Sequence, residues 1–148
     1  MKILFLAQHK WPHIGGVEKH IHEVTKSLEK KGHKVKTISS EDIKYYRIKF
    51  LGLLYIWFWL FKNRKLISGA DIIHCHDVFI WYLPFHFLYP DKKVFTTFHG
   101  WEGIYPIPGK YIFLKRLASK LSWGTIAVGK YIEKYYFITA DKIMYGGI

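Results

Sequence analysis

Apolar residues run without a break through KILFLA, residues 2–7, after the initial lysine, and the run ends abruptly at QHKWPHIGG. An unbroken run of this length suits a parallel strand covered on both faces. Past the break, Val17, Ile21, Val24 and Leu28 recur at helical spacing, and Gly32 follows a lysine-rich last turn. This predicts a helix over 16–31 with its own stop signal. The period then drops to two in HKVKTIS, 33–39, as a strand requires. Further strands are expected at DIIHCH, 71–76, KVFTTFHG, 93–100, GTIAVG, 124–129, and DKIMY, 141–145, with an aromatic-rich helix between the first two of these. Leu114, Leu117 and Leu121 predict a helix over 110–121, with Lys115, Arg116 and Lys120 off the apolar stripe, and GKYIEKYY, 129–136, reads as a short helix.

Strands that alternate with helices across short loops specify an α/β fold, a Rossmann-like doubly wound parallel sheet, because parallel strands need crossover connections. With 148 residues, half of them hydrophobic, the chain is expected to form one domain over 1–148. In such a sheet ligands bind beyond the carboxyl ends of the strands, where strand order reverses. The loops that matter are therefore HKWPHIGG, the His76-Asp77 step and HGWEG.

Composition adds three constraints. A single cysteine, Cys75, excludes an intramolecular disulfide and fits a reducing, cytoplasmic setting. The first apolar run is too short for a signal-peptide core and leads into a Trp-Pro-His loop. A net charge of +12 calls for an anionic partner, such as a phosphate-bearing small molecule or an acidic membrane surface. Nucleic acid is not expected, because no helix-turn-helix, RNP-like strand or zinc knuckle accompanies the charge.

His13-Ile14-Gly15-Gly16 fits neither the dinucleotide fingerprint nor the P-loop pattern. Two glycines at a helix start could leave free amides for a phosphate or a sugar hydroxyl, or could serve a tight turn with positive φ. Of the nine histidines, His74, His76 and His99 sit at or near strand ends, while His20 and His22 read as surface residues of the first helix. Strand alternation sends His74 and His76 to one face and Cys75 to the other, too few convergent ligands for a zinc site, so no metal is expected. His74 reads as a packed residue; His76 and Asp77 fit a site and a structural role equally well. His99, Gly100, Trp101 and Glu102 form a more pointed group: a histidine at a strand end, a glycine that frees the backbone, a ring to stack on a sugar and a carboxylate to accept from hydroxyls.

The stretch FLGLLYIWFWLF, 50–61, is too short to span a bilayer, which takes about 20 apolar residues. Lys44, Arg47, Lys49, Lys62, Arg64 and Lys65 flank it, with no acidic residue between 43 and 70. Either a core helix with basic ends or an interfacial helix fits. The one-signed flanks favour the interface, with Trp57 and Trp59 in the acyl boundary and Lys49, Lys62 and Arg64 on anionic headgroups.

Taken in order, KILFLAQHKWPHIGGVEKHIHEVTKSLEKKGHKV, ADIIHCHD, KKVFTTFHG and TIAVGKYIEKYYFITADKIMYGGI resemble the amino-terminal half of retaining GT-B glycosyltransferases of family 4. The likeness implies the acceptor-side domain of an enzyme that moves a sugar, with retention, from a nucleotide-diphosphate sugar to a lipid-linked or glycan acceptor. No cofactor or metal is implied beyond that co-substrate. Carried over motif by motif, Gly15 and Gly16 would lie against the donor diphosphate or the acceptor, and His99 would face the transferred sugar. Asp77, Gly100 and Glu102 would line the cleft. Tyr145-Gly146-Gly147-Ile148 stands where the family's interdomain linker begins, so the donor-binding carboxyl-terminal domain is expected to be supplied in cis or in trans, and the chain alone to be weak or inactive. Phe137 stands where the family often has glycine. The other expectation kept open is a non-catalytic scaffold half that needs a partner chain. Either would lie in the cytoplasm, peripheral to the inner face of the membrane.

Overall fold

A computed structural model describes residues 1–44, 51–100 and 105–145. The strands are β1 (Lys2–Ala7), β2 (Lys34–Ile38), β3 (Ile72–His76), β4 (Lys93–Phe98), β5 (Gly124–Val128) and β6 (Lys142–Met144). Among the described residues they form one parallel sheet in the order β2-β1-β3-β4-β5-β6. Order reverses between β1 and β3, so the crevice of this doubly wound sheet opens at their carboxyl ends.

The helices are α1 (Gly16–Lys30), α2 (Ser40–Ile43), α3 (Leu51–Lys62), α4 (Lys65–Ser68), α5 (Phe79–Leu88), α6 (Gly109–Leu121) and α7 (Tyr131–Tyr136). The short α2 and α4 carry no periodic signal of their own. Side-chain alternation splits β1 between two cores. Ile3, Phe5 and Ala7 meet Ile21, Val17, Val24 and Leu28 of α1. Leu4 and Leu6 face the larger core, built with α3, α5, α6 and α7. On β3, Ile73 and Cys75 enter that larger core, whereas His74 and His76 lie beside Phe5 on the α1 side. That placement is what brings two imidazoles under the first helix.

Helix α3 corrects the expected membrane contacts. Its packed side carries Gly52, Ile56 and Leu60, with Leu53, Trp57 and Trp59 against the core. Trp57 Nε1 donates to the Ile80 carbonyl of α5 at 2.9 Å. Both tryptophans thus turn inward, because the rotation of about 100° per residue gives the outer stripe to other positions. That stripe is Leu51, Leu54, Tyr55, Phe58 and Phe61, with Leu54 55% and Phe58 61% exposed. Lys62 and Arg64 are exposed beside it, the Arg64 guanidinium 4.9 Å from the centre of the Phe61 ring. Lys49 lies outside the described residues. Among the described residues no helix is long and apolar enough to cross a membrane.

Candidate functional site

Register levels Ala7 with His76 and His76 with Thr97, so the segments after β1, β3 and β4 leave the sheet at one edge. Gly15, Gly16, Asp77, His99 and Gly100 all belong to that edge, as the sequence led one to expect. Glu102 lies outside the described residues.

Asp77 holds the edge together. It has φ of 61°, a left-handed conformation that Asp tolerates better than most side chains. Its own N–H donates to the Thr97 carbonyl at 3.1 Å, continuing the β3-β4 pairing by one residue. Its carboxylate then faces both ways. Oδ2 accepts the His99 backbone N–H at 2.9 Å, and Oδ1 accepts from Lys115 Nζ of α6 at 3.1 Å. The Lys115 ammonium also sits 4.8 Å from the centre of the Tyr136 ring and 5.7 Å from that of Phe98. A cation buried in this way is stabilised by a carboxylate and aromatic faces together.

At the other end of the His99 peptide, Tyr131 Oη donates to the His99 carbonyl at 3.2 Å. The Tyr131 ring packs where a side chain on Gly129 would go: a Cβ there would lie 2.5 Å from Tyr131 Cε1, and Gly129 has φ of 109°. His99 is therefore clamped at both its N–H and its C=O.

Four imidazoles gather here. His74 stacks on His76 with centroids 4.4 Å apart, and His74 Nε2 bonds the Thr97 hydroxyl at 2.7 Å. His76 Nδ1 and His99 Nε2 are 2.9 Å apart. His20 of α1 sets its ring 5.2 Å from that of His99. Instead of lying on the surface, His20 turns inward, because it sits three residues after Val17 and four before Val24, on the edge of the buried stripe. His22 stacks on Trp11 at 4.9 Å. Burial pushes His74 and His99 down to about 4; for His99 the Asp77 carboxylate pulls upward, and His20 and Lys115 press downward. Burial also lowers His20, and lowers His76 well below the usual imidazole range. At neutral pH the cluster is uncharged, suited to hydrogen bonding with a polar ligand. The rings stack and pair instead of converging on a point, and among the described residues no three His, Cys, Asp or Glu side chains form a metal-binding group.

The glycine pair divides in two. Gly15 is extended, with φ of −176°, so no positive φ is involved. A Cβ on Gly15 would run into the carboxylate of Glu18, which folds back over the start of α1 and is nearly buried, with His13 Nδ1 3.5 Å from its Oε1. Gly16 has open space where a Cβ would go. Glycine at 15 therefore leaves room for the Glu18 carboxylate in this position, and a larger residue would displace that carboxylate; at 16 nothing occupies the space. Glu18, His20, Lys115 and Tyr131 were all missed as site residues in the sequence.

The profile of Glycosyltransferase Family 4 matches residues 14–138. A solved structure, described as a glycosyltransferase from Rickettsia africae ESF-5, superposes with a TM-score of 0.63 at 22% sequence identity. The match covers 97% of this chain and 42% of that one, so the chain spans less than half the length of that neighbour. No curated protein matches the chain.

Proposed function

Because the chain belongs to Glycosyltransferase Family 4, we propose that it forms the acceptor-side half of an enzyme moving a sugar, with retention, from a nucleotide-diphosphate sugar to a lipid-linked or glycan acceptor. The observation that carries this reading is His99, an uncharged imidazole whose peptide is clamped by Asp77 and Tyr131 at the carboxyl edge of the sheet, with its ring against His20 of α1. A neutral hydrogen-bonding ring suits a sugar. A second, GT-B-type domain, in cis or in trans, supplies the far wall of the cleft and the positive charge for the leaving diphosphate. The size of the structural neighbour supports that division.

The outer stripe of α3 supports docking on the cytoplasmic face of an anionic membrane. It presents five large apolar side chains beside Lys62, Arg64 and Lys65, with no acidic residue within the helix. A lipid-linked acceptor would then lie near the cleft.

Transfer from radiolabelled nucleotide sugars, measured with the carboxyl-terminal half present, tests the reading. His99→Ala should lower turnover roughly 100-fold, the loss expected for one well-placed hydrogen-bonding group. Undiminished transfer by the variant would remove His99 from the chemistry. Binding without turnover under all donors would favour the scaffold alternative.

A further inference from the structure

His76 Nδ1 and His99 Nε2 lie 2.9 Å apart, and a bond between two imidazole nitrogens needs one proton and one lone pair. With both rings neutral, two arrangements exist. In the first, His76 Nδ1–H donates, His99 Nε2 accepts, and the His99 proton resides on Nδ1. In the second, His99 Nε2–H donates, its Nδ1 is a bare lone pair, and the His76 proton resides on Nε2.

These arrangements differ in what they leave inside the protein. His76 is 2% exposed, and among the described residues its Nε2 has no hydrogen-bond partner. The second arrangement makes that atom a buried N–H without an acceptor, which loses its hydration with no bond in return. The first makes it a lone pair, and unsatisfied acceptors are tolerated inside proteins more readily than orphaned N–H groups. The rings around it are aromatic: Phe5 edge-on with its centroid 4.9 Å away, His74 stacked, and His20 with its centroid 6.5 Å away. Contacts of an N–H with an aromatic face are second-order in energy, so these rings do not stand in for an acceptor.

We propose that His76 is a positioning residue that fixes the tautomer of His99, donating from Nδ1 so that His99 offers its own Nδ1–H, a hydrogen-bond donor, to the transferred sugar. The tautomer stands on the geometry alone, and its use on a sugar rests on the function proposed above. The consequence is chemical. His99 cannot abstract a proton at Nδ1; it holds an oxygen. A donor sugar lacking the oxygen that Nδ1–H contacts leaves that N–H unpaired and is discriminated against.

Long-range proton–nitrogen correlation on the nitrogen-15-labelled 148-residue chain at pH 7 reads each ring directly. The expected pattern is a protonated Nδ1 and bare Nε2 on both His76 and His99. A protonated Nε2 on His99 overturns the proposal. In His76→Phe, which keeps a stacked ring but removes the donor, the His99 proton should shift towards Nε2. In His76→Asn, whose amide N–H can occupy the place of Nδ1, the original pattern should return. If His99 keeps Nδ1–H in His76→Phe, His76 is not what sets it. Should that variant not fold, the wild-type pattern still decides. Addition of UDP-glucose and GDP-mannose, with the carboxyl-terminal half present, probes the sugar contact separately: a shift at His99 Nδ1–H supports it, and silence from both counts against the proposed function while the tautomer assignment stands.

Discussion

Lys115→Met is the most informative single change, because it removes a charge while keeping most of the side chain's bulk against Tyr136 and Phe98. Exposed ion pairs contribute about 0–1 kcal/mol, and breaking a fully buried pair costs about 3–5 kcal/mol. The Lys115 side chain is 9% exposed and that of Asp77 is 29% exposed, so water can resolvate the carboxylate left behind. The cost therefore falls between the two regimes, at about 2 kcal/mol including the lost cation–aromatic contacts. For a chain of this size that lowers Tm by about 4–8 °C. Urea unfolding should show a lower midpoint at unchanged slope. Lys120→Met, on the exposed side of the same helix, should stay within about 0.5 kcal/mol of wild type. In a cycle with Asp77→Asn the two changes should couple by about 1–2 kcal/mol. The reasoning fails if Lys115→Met is no worse than Lys120→Met, or if it adds independently to Asp77→Asn.

Burial holds His74 and His99 at about 4, below the value near 6.5 of the unfolded chain, so between those pH values the unfolded state binds more protons. Stability should be full above about pH 6.5 and fall as pH drops towards 4; urea midpoints from pH 7 to 5 measure it, His99→Gln should flatten the slope, and a flat wild-type profile contradicts the burial argument. Gly16→Ala should leave stability unchanged or raise it by about 0.5–1 kcal/mol, since helices favour Ala and the space is open; weakened nucleotide-sugar binding by a stable variant would point to close ligand approach, and a drop in Tm would refute the steric reading. Phe137→Gly should stabilise by about 1 kcal/mol in urea, because Phe137 caps α7 at φ of 53° with its ring largely exposed, and a loss of stability would mean that the ring packs usefully. Leu54→Asp with Phe58→Asp should abolish co-sedimentation with phosphatidylglycerol vesicles at low salt while leaving Tm within about 3 °C, whereas equal binding by the double variant would acquit α3.

The sheet and its main helices were legible because their signals are local. The run in β1, the stripe of α1 and the glycine after it each lie within a few turns of chain. The placing of candidate residues at the carboxyl edge was legible only where residue type and strand end coincided, as at Asp77 and His99. Lys115 shows the limit. It lies four residues after Tyr111 and three before Ala118, on the buried line of α6, yet a charge is ordinarily assigned to solvent, and its partner Asp77 is 38 residues away. His20 likewise sat beside an apolar stripe without announcing what it would meet. Helix α3 failed for a different reason: a helix apolar all round has no phase, so nothing in its own pattern says that Trp57 and Trp59 face inward while Leu54 and Phe58 face out. The glycine pair illustrates a third case. Its meaning depended on where the Glu18 carboxylate folds, which only the three-dimensional arrangement reveals.

Asp77 joins a strand end, the neighbouring peptide and the interior of α6 through one side chain. Glycine would suit its backbone angle but supply no carboxylate, and glutamate would supply the charge at the wrong reach. For anyone redesigning this domain, hardening the core around α6 and altering the setting of the His99 peptide are therefore not separate tasks. Any repacking that moves the Lys115 ammonium also moves the anchor of the His99 peptide, so gains in thermal robustness there should be weighed against the sugar contact proposed for His99 from the first substitution onward.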